Sequence, residues 1–195
     1  MAAPASPLNQ LRSLRGPGPL RGASSPHAVP KEFGRYQFHV LAASVSDAVR
    51  AIGGLIFDQA MAGWNVDVMV DADADRGIDD RPIRILGATV TNLRTTHLPT
   101  NPHRAGMLPR SQMLAVATDV MVRSEAVRRQ VLAAGSDSAT DVLFWGRYQP
   151  PTLNCKFVPV RHRPSAAAQV FKSHALAAGG AMAAQCADEG FYSMA

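Results

Sequence analysis

Five aspartates crowd one short stretch of the chain, at positions 71, 73, 75, 79 and 80. Asp71, Asp73 and Asp75 occupy alternate positions, and carboxylate oxygens are the ligands that calcium and magnesium prefer, so this spacing predicts a metal site. An EF-hand loop starting at Asp71 would need Gly at its sixth position and Glu at its twelfth, where this chain has Arg76 and Pro82. The alternative interpretation is a solvated acidic turn that neighbouring arginines partly neutralise.

A second set of candidate residues lies where predicted strands end and helices begin. Ser44 and Ser46 follow the first predicted strand, and Asp71 follows the second. Ser124 begins a predicted helix. Because ligands of doubly wound folds bind at the carboxyl ends of parallel strands, we predict that these four residues bind a ligand, and Asp71 also has the position of a ribose-binding carboxylate. None of these patterns identifies a catalytic residue.

Motifs that would require a cofactor or mark a catalytic nucleophile are absent from the sequence. It contains no Walker A, G-x-S-x-G or HExxH motif, and the only G-x-G of the proline-rich N-terminal segment neither follows a predicted strand nor precedes a predicted helix. Cys155 and Cys186 form no CxxC pair, so we interpret both as small buried side chains. The cofactor is therefore unknown, and no motif requires one.

The elements that would position these residues begin with a strand, a helix and a second strand. Phe38–Ala43 and Val66–Val70 are short and apolar, as expected for parallel strands buried on both faces. Between them, apolar residues recur at three- and four-residue steps and predict one buried helix face. Ser44 and Asp47 have the spacing of a capping box, and Gly63 is suited to end the helix. The residues of the apolar stripe are Val45, Val49, Ile52, Ile56 and Ala60.

The remaining pattern repeats this alternation. We expect a strand at IRILGAT (residues 83–89), a long loop over 95–109, and two helices within 111–134 separated near Ser124. Asp141–Trp145 and Cys155–Val160 read as strands, and an alanine-rich helix begins at Ser165. The predicted fold class is α/β, a Rossmann-like three-layer sandwich with a mostly parallel sheet in a single domain.

Residues 1–36 differ from the rest in composition, so we predict a flexible tail rich in proline and arginine, followed by the Rossmann-like α/β domain over 37–195. The tail lacks acids, and a targeting segment or an overextended start are alternative interpretations of it. Of the net charge of +5, +4 arises before Glu32, which leaves +1 for the remainder. This distribution argues against nucleic-acid binding.

The sequence shows two resemblances to known proteins. Asp119–Gly135, DVMVRSEAVRRQVLAAG, resembles the strand, serine and helix that close the N-terminal domain of retaining GT-B glycosyltransferases, which implies a sugar-nucleotide substrate. DAVRAIGGLIFDQAMAGWNVDVMV, RPIRILGA, VLFWG and RHRPSAAAQVFKSHALAA together resemble uncharacterised α/β proteins of high-GC Gram-positive bacteria, which implies no particular activity.

The sequence favours a noncatalytic α/β module that binds a small molecule or a protein. The alternative is an enzyme acting on a nucleotide or sugar-nucleotide substrate, in the manner of a glycosyltransferase. No apolar run is long enough to span a bilayer, so we expect a soluble cytoplasmic protein without a membrane partner. Assembly into a homo-oligomer is compatible with all of these interpretations.

Overall fold

The computed structural model of the protein describes residues 36–72, 77–94, 112–136, 140–146, 157–181 and 188–194. These residues belong to one compact unit. They form seven strands and five helices: β1 (Gln37–Ala42), α1 (Val45–Met61), β2 (Asn65–Val70), α2 (Arg81–Ile85), β3 (Thr89–Asn92), β4 (Met113–Ala117), α3 (Thr118–Arg123), α4 (Glu125–Gly135), β5 (Asp141–Trp145), β6 (Phe157–His162), α5 (Ala166–Ala178) and β7 (Glu189–Met194).

The strands form one mixed sheet in the order β3-β2-β1-β4-β5-β7-β6. Strand β1 pairs in parallel with β2 and β4, and the outer pairs β2–β3 and β4–β5 are also parallel. Only β7 runs antiparallel to its neighbours β5 and β6. The mostly parallel sheet with helices confirms the predicted single α/β domain.

The core explains why the first elements form where the sequence places them. Five consecutive residues of β1 are buried, and since successive side chains of a strand point to opposite faces, both faces of the sheet are covered there. The predicted stripe of α1 packs into this core, with Val49, Ile52 and Ile56 almost fully buried. Ser44 caps the helix by accepting a hydrogen bond from the Asp47 amide at 3.1 Å, and Gly63 follows its end with φ of 89°.

The strand expected over residues 83–89 is wrong. Arg81–Ile85 forms the short helix α2, and strand β3 begins only at Thr89. Pro82 occupies the first helical turn, where its fixed φ favours a helix and its missing amide proton costs nothing. Asp79 accepts a hydrogen bond from the Arg81 amide at 3.1 Å, and Gly87 follows the helix with φ of 78°.

The first of the two helices expected within residues 111–134 is also wrong in part. Met113–Ala117 is strand β4, because its central position between β1 and β5 buries four of its five residues. The break at Ser124 is confirmed, since α3 ends before it and α4 begins after it. Residues 119–122, which the glycosyltransferase resemblance would place in a strand, lie in the helix α3.

The C-terminal part of the chain contains the predicted elements and one further strand that the sequence did not predict. Strands β5 and β6 and helix α5 form near their predicted positions, although Cys155 lies outside the described residues. Strand β7 was missed because its segment EGFYSM mixes polar and small residues, and pairing with β5 and β6 stabilises it instead.

The helices form two groups by their contacts. Helices α1, α2 and α5 pack on one another, whereas α3 and α4 contact each other and the strands β4 and β5. Residues 1–35 of the predicted tail and the loop over 95–109 lie outside the described residues. In the described parts of the chain, no helix is both long and apolar enough to cross a membrane.

Candidate active site

A cleft of about 400 Å³ opens at the carboxyl ends of β1 and β2. The start of α1 forms one side, the segment after β2 and helix α2 form another, and the end of α5 closes the third. Its polar rim contains Ser44, Ser46, Asp71 and Asp79, whereas its floor is apolar. The volume lies at the small end of the usual range for small-molecule pockets, roughly 300–1,000 Å³.

Three of the four predicted ligand-binding residues meet at this cleft. Ser44 and Ser46 are exposed at the start of α1, and Asp71 faces them from the end of β2. Ser124 does not line the cleft; its hydroxyl caps α4 by accepting a hydrogen bond from the Val127 amide at 3.3 Å.

The predicted metal site is only partly within the described residues. Asp73 and Asp75 lie outside them. Asp71 accepts a hydrogen bond from Arg94 Nε at 2.6 Å, so its charge already has a cationic partner. Within the described ranges, no group of three His, Cys, Asp or Glu side chains is arranged to hold a metal ion.

Asp47 is a carboxyl group at this edge of the sheet whose surroundings shift its pKa. It lies in the first turn of α1, beside the boundary between β1 and β4, where the strand order reverses and doubly wound folds bind ligands. Burial raises the pKa of Asp47, and the nearby Asp119 carboxylate adds to this rise. Hydrogen bonding from Trp145 and Ala43 and the charge of Arg50 oppose it without cancelling it. A carboxyl group that holds its proton unusually well at a ligand-binding edge is a candidate acid or base.

Trp145 supports this assignment from the end of β5. Its indole N–H lies close enough to lower the pKa of Asp47, although Nε1 is buried and makes no hydrogen bond of full geometry to any described residue. Beside it, Gly146 adopts φ of 126°, and a Cβ at this position would lie 2.3 Å from Thr118 Oγ1. The ends of β4 and β5 are therefore packed closely around the point where Asp47 lies.

Sequence reasoning missed Asp47 as a candidate because it explained the residue as part of a helix cap. The available signal was its position four residues after the end of the first predicted strand, in the turn that doubly wound folds use for binding. Asp119 was missed because the strand before it, β4, was predicted as a helix.

A serine, a histidine and an aspartate also meet away from the cleft, but their geometry is structural. Ser165 Oγ donates to Asp58 at 2.6 Å and accepts from the Ala168 amide at 3.1 Å, which caps α5. His162 Nε2 contacts the same Asp58 carboxylate at 3.0 Å rather than the serine. Because the histidine does not face the hydroxyl, it cannot activate Ser165 as a nucleophile.

Solved structures with the same fold include several deacetylases. The A40926 pseudoaglycone deacetylase matches with a TM-score of 0.53 and 10% sequence identity, over 83% of this chain and 98% of that enzyme. The zinc-inhibited form of teicoplanin deacetylase matches with a TM-score of 0.53 and 11% identity, over 82% and 98% of the two chains. A deacetylase in complex with teicoplanin matches with a TM-score of 0.54 and 12% identity, over 81% and 96%.

The chain has the fold of these deacetylases. No protein-family model and no curated relative matches its sequence. The interpretation as a noncatalytic binding module is wrong, because the neighbours that share the fold over nearly their whole length are enzymes. At 10% to 12% identity the relationship is visible in the fold rather than in the sequence, so sequence reasoning had no signal for it.

Proposed function

We propose that this protein is a hydrolase that removes an acetyl group from the nitrogen of a small molecule. The observation that carries the proposal is Asp47, a half-buried carboxyl with a raised pKa at the edge of a sheet whose fold is shared with deacetylases. The adjoining cleft supplies space for the substrate.

Asp47 would act as the proton-transfer group. As a carboxylate it accepts a proton from water while the water oxygen attacks the acetyl carbonyl carbon; the C–N bond then breaks, and the proton passes to the departing amine, leaving acetate. General base and acid catalysis of this kind contributes typically 10²–10⁴-fold to the rate. The amides of Val45 and Ser46 lie in the first turn of α1, where helix N–H groups lack intrahelical acceptors, and they suit a developing oxyanion.

One of the solved structures with this fold is the zinc-inhibited form of teicoplanin deacetylase, so zinc is the metal to test against this chain. A tetrahedral zinc site needs several nitrogen, sulfur or carboxylate ligands, and the described residues gather no three of them. The side chains in the described ranges therefore do not fit a zinc site, and the proposed reaction assigns no step to a metal.

The same proposal includes a finer fold assignment, a Rossmann-like three-layer sandwich. The order of the parallel strands, β3-β2-β1-β4-β5, follows the doubly wound pattern. Burial of both faces of β1 and the two separate groups of helices support a helical layer on each side of the sheet.

Acetate release tests the proposed reaction. Purified protein is incubated with a panel of acetylated amines, amino sugars and alcohols, and acetate is quantified by NMR. We expect release from an acetylated amine and its loss, by about 10²-fold or more, in Asp47→Asn, which keeps the shape but cannot accept the proton. Asp141→Asn, an exposed carboxylate at the opposite end of β5, is the control. No acetate from any substrate, or full activity of Asp47→Asn, would refute the proposal.

A further inference from the structure

The side chains that line the cleft favour a particular class of substrate, beyond the acetyl group that the proposed reaction removes. Its deepest lining is aliphatic, with Val49, Val70 and Leu176 nearly fully buried and Ala175 completely so. These side chains offer no hydrogen bond. A polyhydroxylated sugar buried here would lose its bonds to water without replacement, which costs free energy for every unpaired hydroxyl. The floor therefore suits an apolar group.

The ionisable side chains at the rim of the cleft are acidic. Asp71 and Asp79 are the ionisable groups among the described residues that line the cleft, and no Lys, Arg or His joins them. Arg94 neutralises Asp71, whereas the hydrogen bond that Asp79 accepts within the described residues comes from the neutral Arg81 amide. The described residues of the rim thus carry about one net negative charge, which attracts a cation and repels a carboxylate or phosphate.

Two hydroxyl groups complete the rim on the α1 side. Ser44 Oγ accepts from the Asp47 amide, which leaves its own proton free to donate, and Ser46 is exposed beside it. Both lie within three residues of Asp47 in the chain, so the cleft adjoins the turn that carries the proposed reaction centre, although Asp47 itself does not line it.

We infer that the cleft binds a primary amine with an apolar body, with the alkyl part on the aliphatic floor and the ammonium group at the acidic rim. This inference rests on the proposed function, since such an amine is the product left after an acetyl group is removed from its nitrogen. A sugar nucleotide, which the glycosyltransferase resemblance implied, has the wrong charge and polarity for this cleft.

Three six-carbon probes that differ in the charge of the head group separate the contributions of charge and apolar contact to binding. They are hexylammonium, 1-hexanol and hexanoate. Their affinities are measured by ¹H–¹⁵N NMR titration of the full chain. We expect hexylammonium to bind best and hexanoate worst, with the largest shifts at Ser44 and Ser46. Asp79→Asn should lower the preference for hexylammonium over hexanol about two- to fivefold, the range of an exposed ion pair. Asp141→Asn should leave it unchanged.

A variant that fills the cleft tests the location. Gly179 lines it, and a Cβ there meets only ordinary contacts, 3.5 Å from Pro82 Cγ. Gly179→Leu should weaken hexylammonium binding about tenfold or more by occupying the space. Gly190→Leu is the matched control, because a Cβ there meets nothing within 4 Å and the residue lies outside the cleft.

The outcomes separate this inference from the proposed function. Equal binding of hexanoate and hexylammonium, or unchanged binding in Gly179→Leu, would overturn the amine cleft even if acetate release depends on Asp47. Selective hexylammonium binding together with failure to hydrolyse N-hexylacetamide or any other acetylated compound would uphold the cleft and refute the hydrolase. Asp47-dependent hydrolysis of N-hexylacetamide with selective amine binding supports both.

Discussion

Lys172 Nζ lies 2.6 Å from Glu189 Oε1, and both side chains are buried. The Glu189 carboxylate also accepts hydrogen bonds from the amides of Gly54 at 2.7 Å and Leu55 at 2.9 Å. This one carboxylate therefore joins α5 and β7 to the middle of α1. A Cβ on Gly54 would lie 2.6 Å from Pro164 Cγ and 2.9 Å from the carboxylate, so glycine is needed for this approach.

Breaking this pair should destabilise the protein strongly. Lys172→Met leaves the buried Glu189 charge without its cation, and such losses cost about 3–5 kcal/mol. The free energy of unfolding is measured by urea denaturation. The double variant Lys172→Met/Glu189→Gln should recover part of the loss, because no unpaired charge remains. Arg84→Gln, which removes an exposed pair with Asp80, should change stability by less than about 1 kcal/mol. A Lys172→Met protein as stable as the wild type would show that the pair is unimportant.

Asp47→Asn should stabilise the protein at neutral pH. The folded pKa of Asp47 is raised above its ordinary value of 3.8. The protonated carboxyl therefore contributes its full stabilisation of the folded state below that pH, and this stabilisation is lost as pH rises through the folded pKa. Above that pKa the charged, partly buried carboxylate destabilises the folded state, and asparagine removes the charge. The melting temperature of Asp47→Asn should exceed that of the wild type at pH 7, and the gain should vanish below pH 3.8. A lower melting temperature at pH 7 would contradict this.

His39 should make the protein less stable in mild acid. It is buried in β1, its Nδ1 has no hydrogen-bond partner among the described residues, and burial lowers its pKa despite the nearby Asp67. A base with a depressed folded pKa remains neutral while the unfolded chain takes up protons, so stability falls as pH drops below 6.5. His39→Leu should flatten the dependence of unfolding free energy on pH over that window. An unchanged dependence would exclude His39 as its source.

Gly146→Ala should cost more than the backbone conformation alone explains. Its φ of 126° disfavours any side chain, and the new Cβ would lie 2.3 Å from Thr118 Oγ1. Gly63→Ala is the matched control, because φ there is 89° but nothing lies within 4 Å of the added Cβ. We expect a loss of about 1–3 kcal/mol for Gly146→Ala, a smaller one for Gly63→Ala, and partial recovery in Gly146→Ala/Thr118→Ala. Equal losses at the two glycines would argue against the steric contact.

Ile56→Ala should destabilise the core by about 2–5 kcal/mol, as truncations of buried aliphatic side chains do. Ile56 is completely buried on the inner face of α1, whereas Met61 at the end of the same helix is 69% exposed. Met61→Ala should therefore change the urea midpoint little. If both variants unfolded at the same urea concentration as the wild type, the buried face of α1 would be assigned wrongly.

The sequence by itself determined the elements whose signals are local. The period of Val49, Ile52 and Ile56 specifies the buried face of α1, and Ser44 with Gly63 specifies its ends, because capping and periodicity act within a few residues. The continuous apolar runs of β1 and β2 likewise require burial on both faces. These features sufficed for the α/β class and for placing Ser44, Ser46 and Asp71 at one edge of the sheet.

Tertiary structure decided what depends on distant partners. Met113–Ala117 became a strand because it pairs between β1 and β5, a contact that its own residues do not encode. Strand β7 exists through pairing with β5 and β6, and Glu189 meets Gly54 across 135 residues. The shifted pKa of Asp47 also depends on distant partners. Burial and Asp119 raise this pKa, Trp145 lowers it, and only the folded chain brings those groups together.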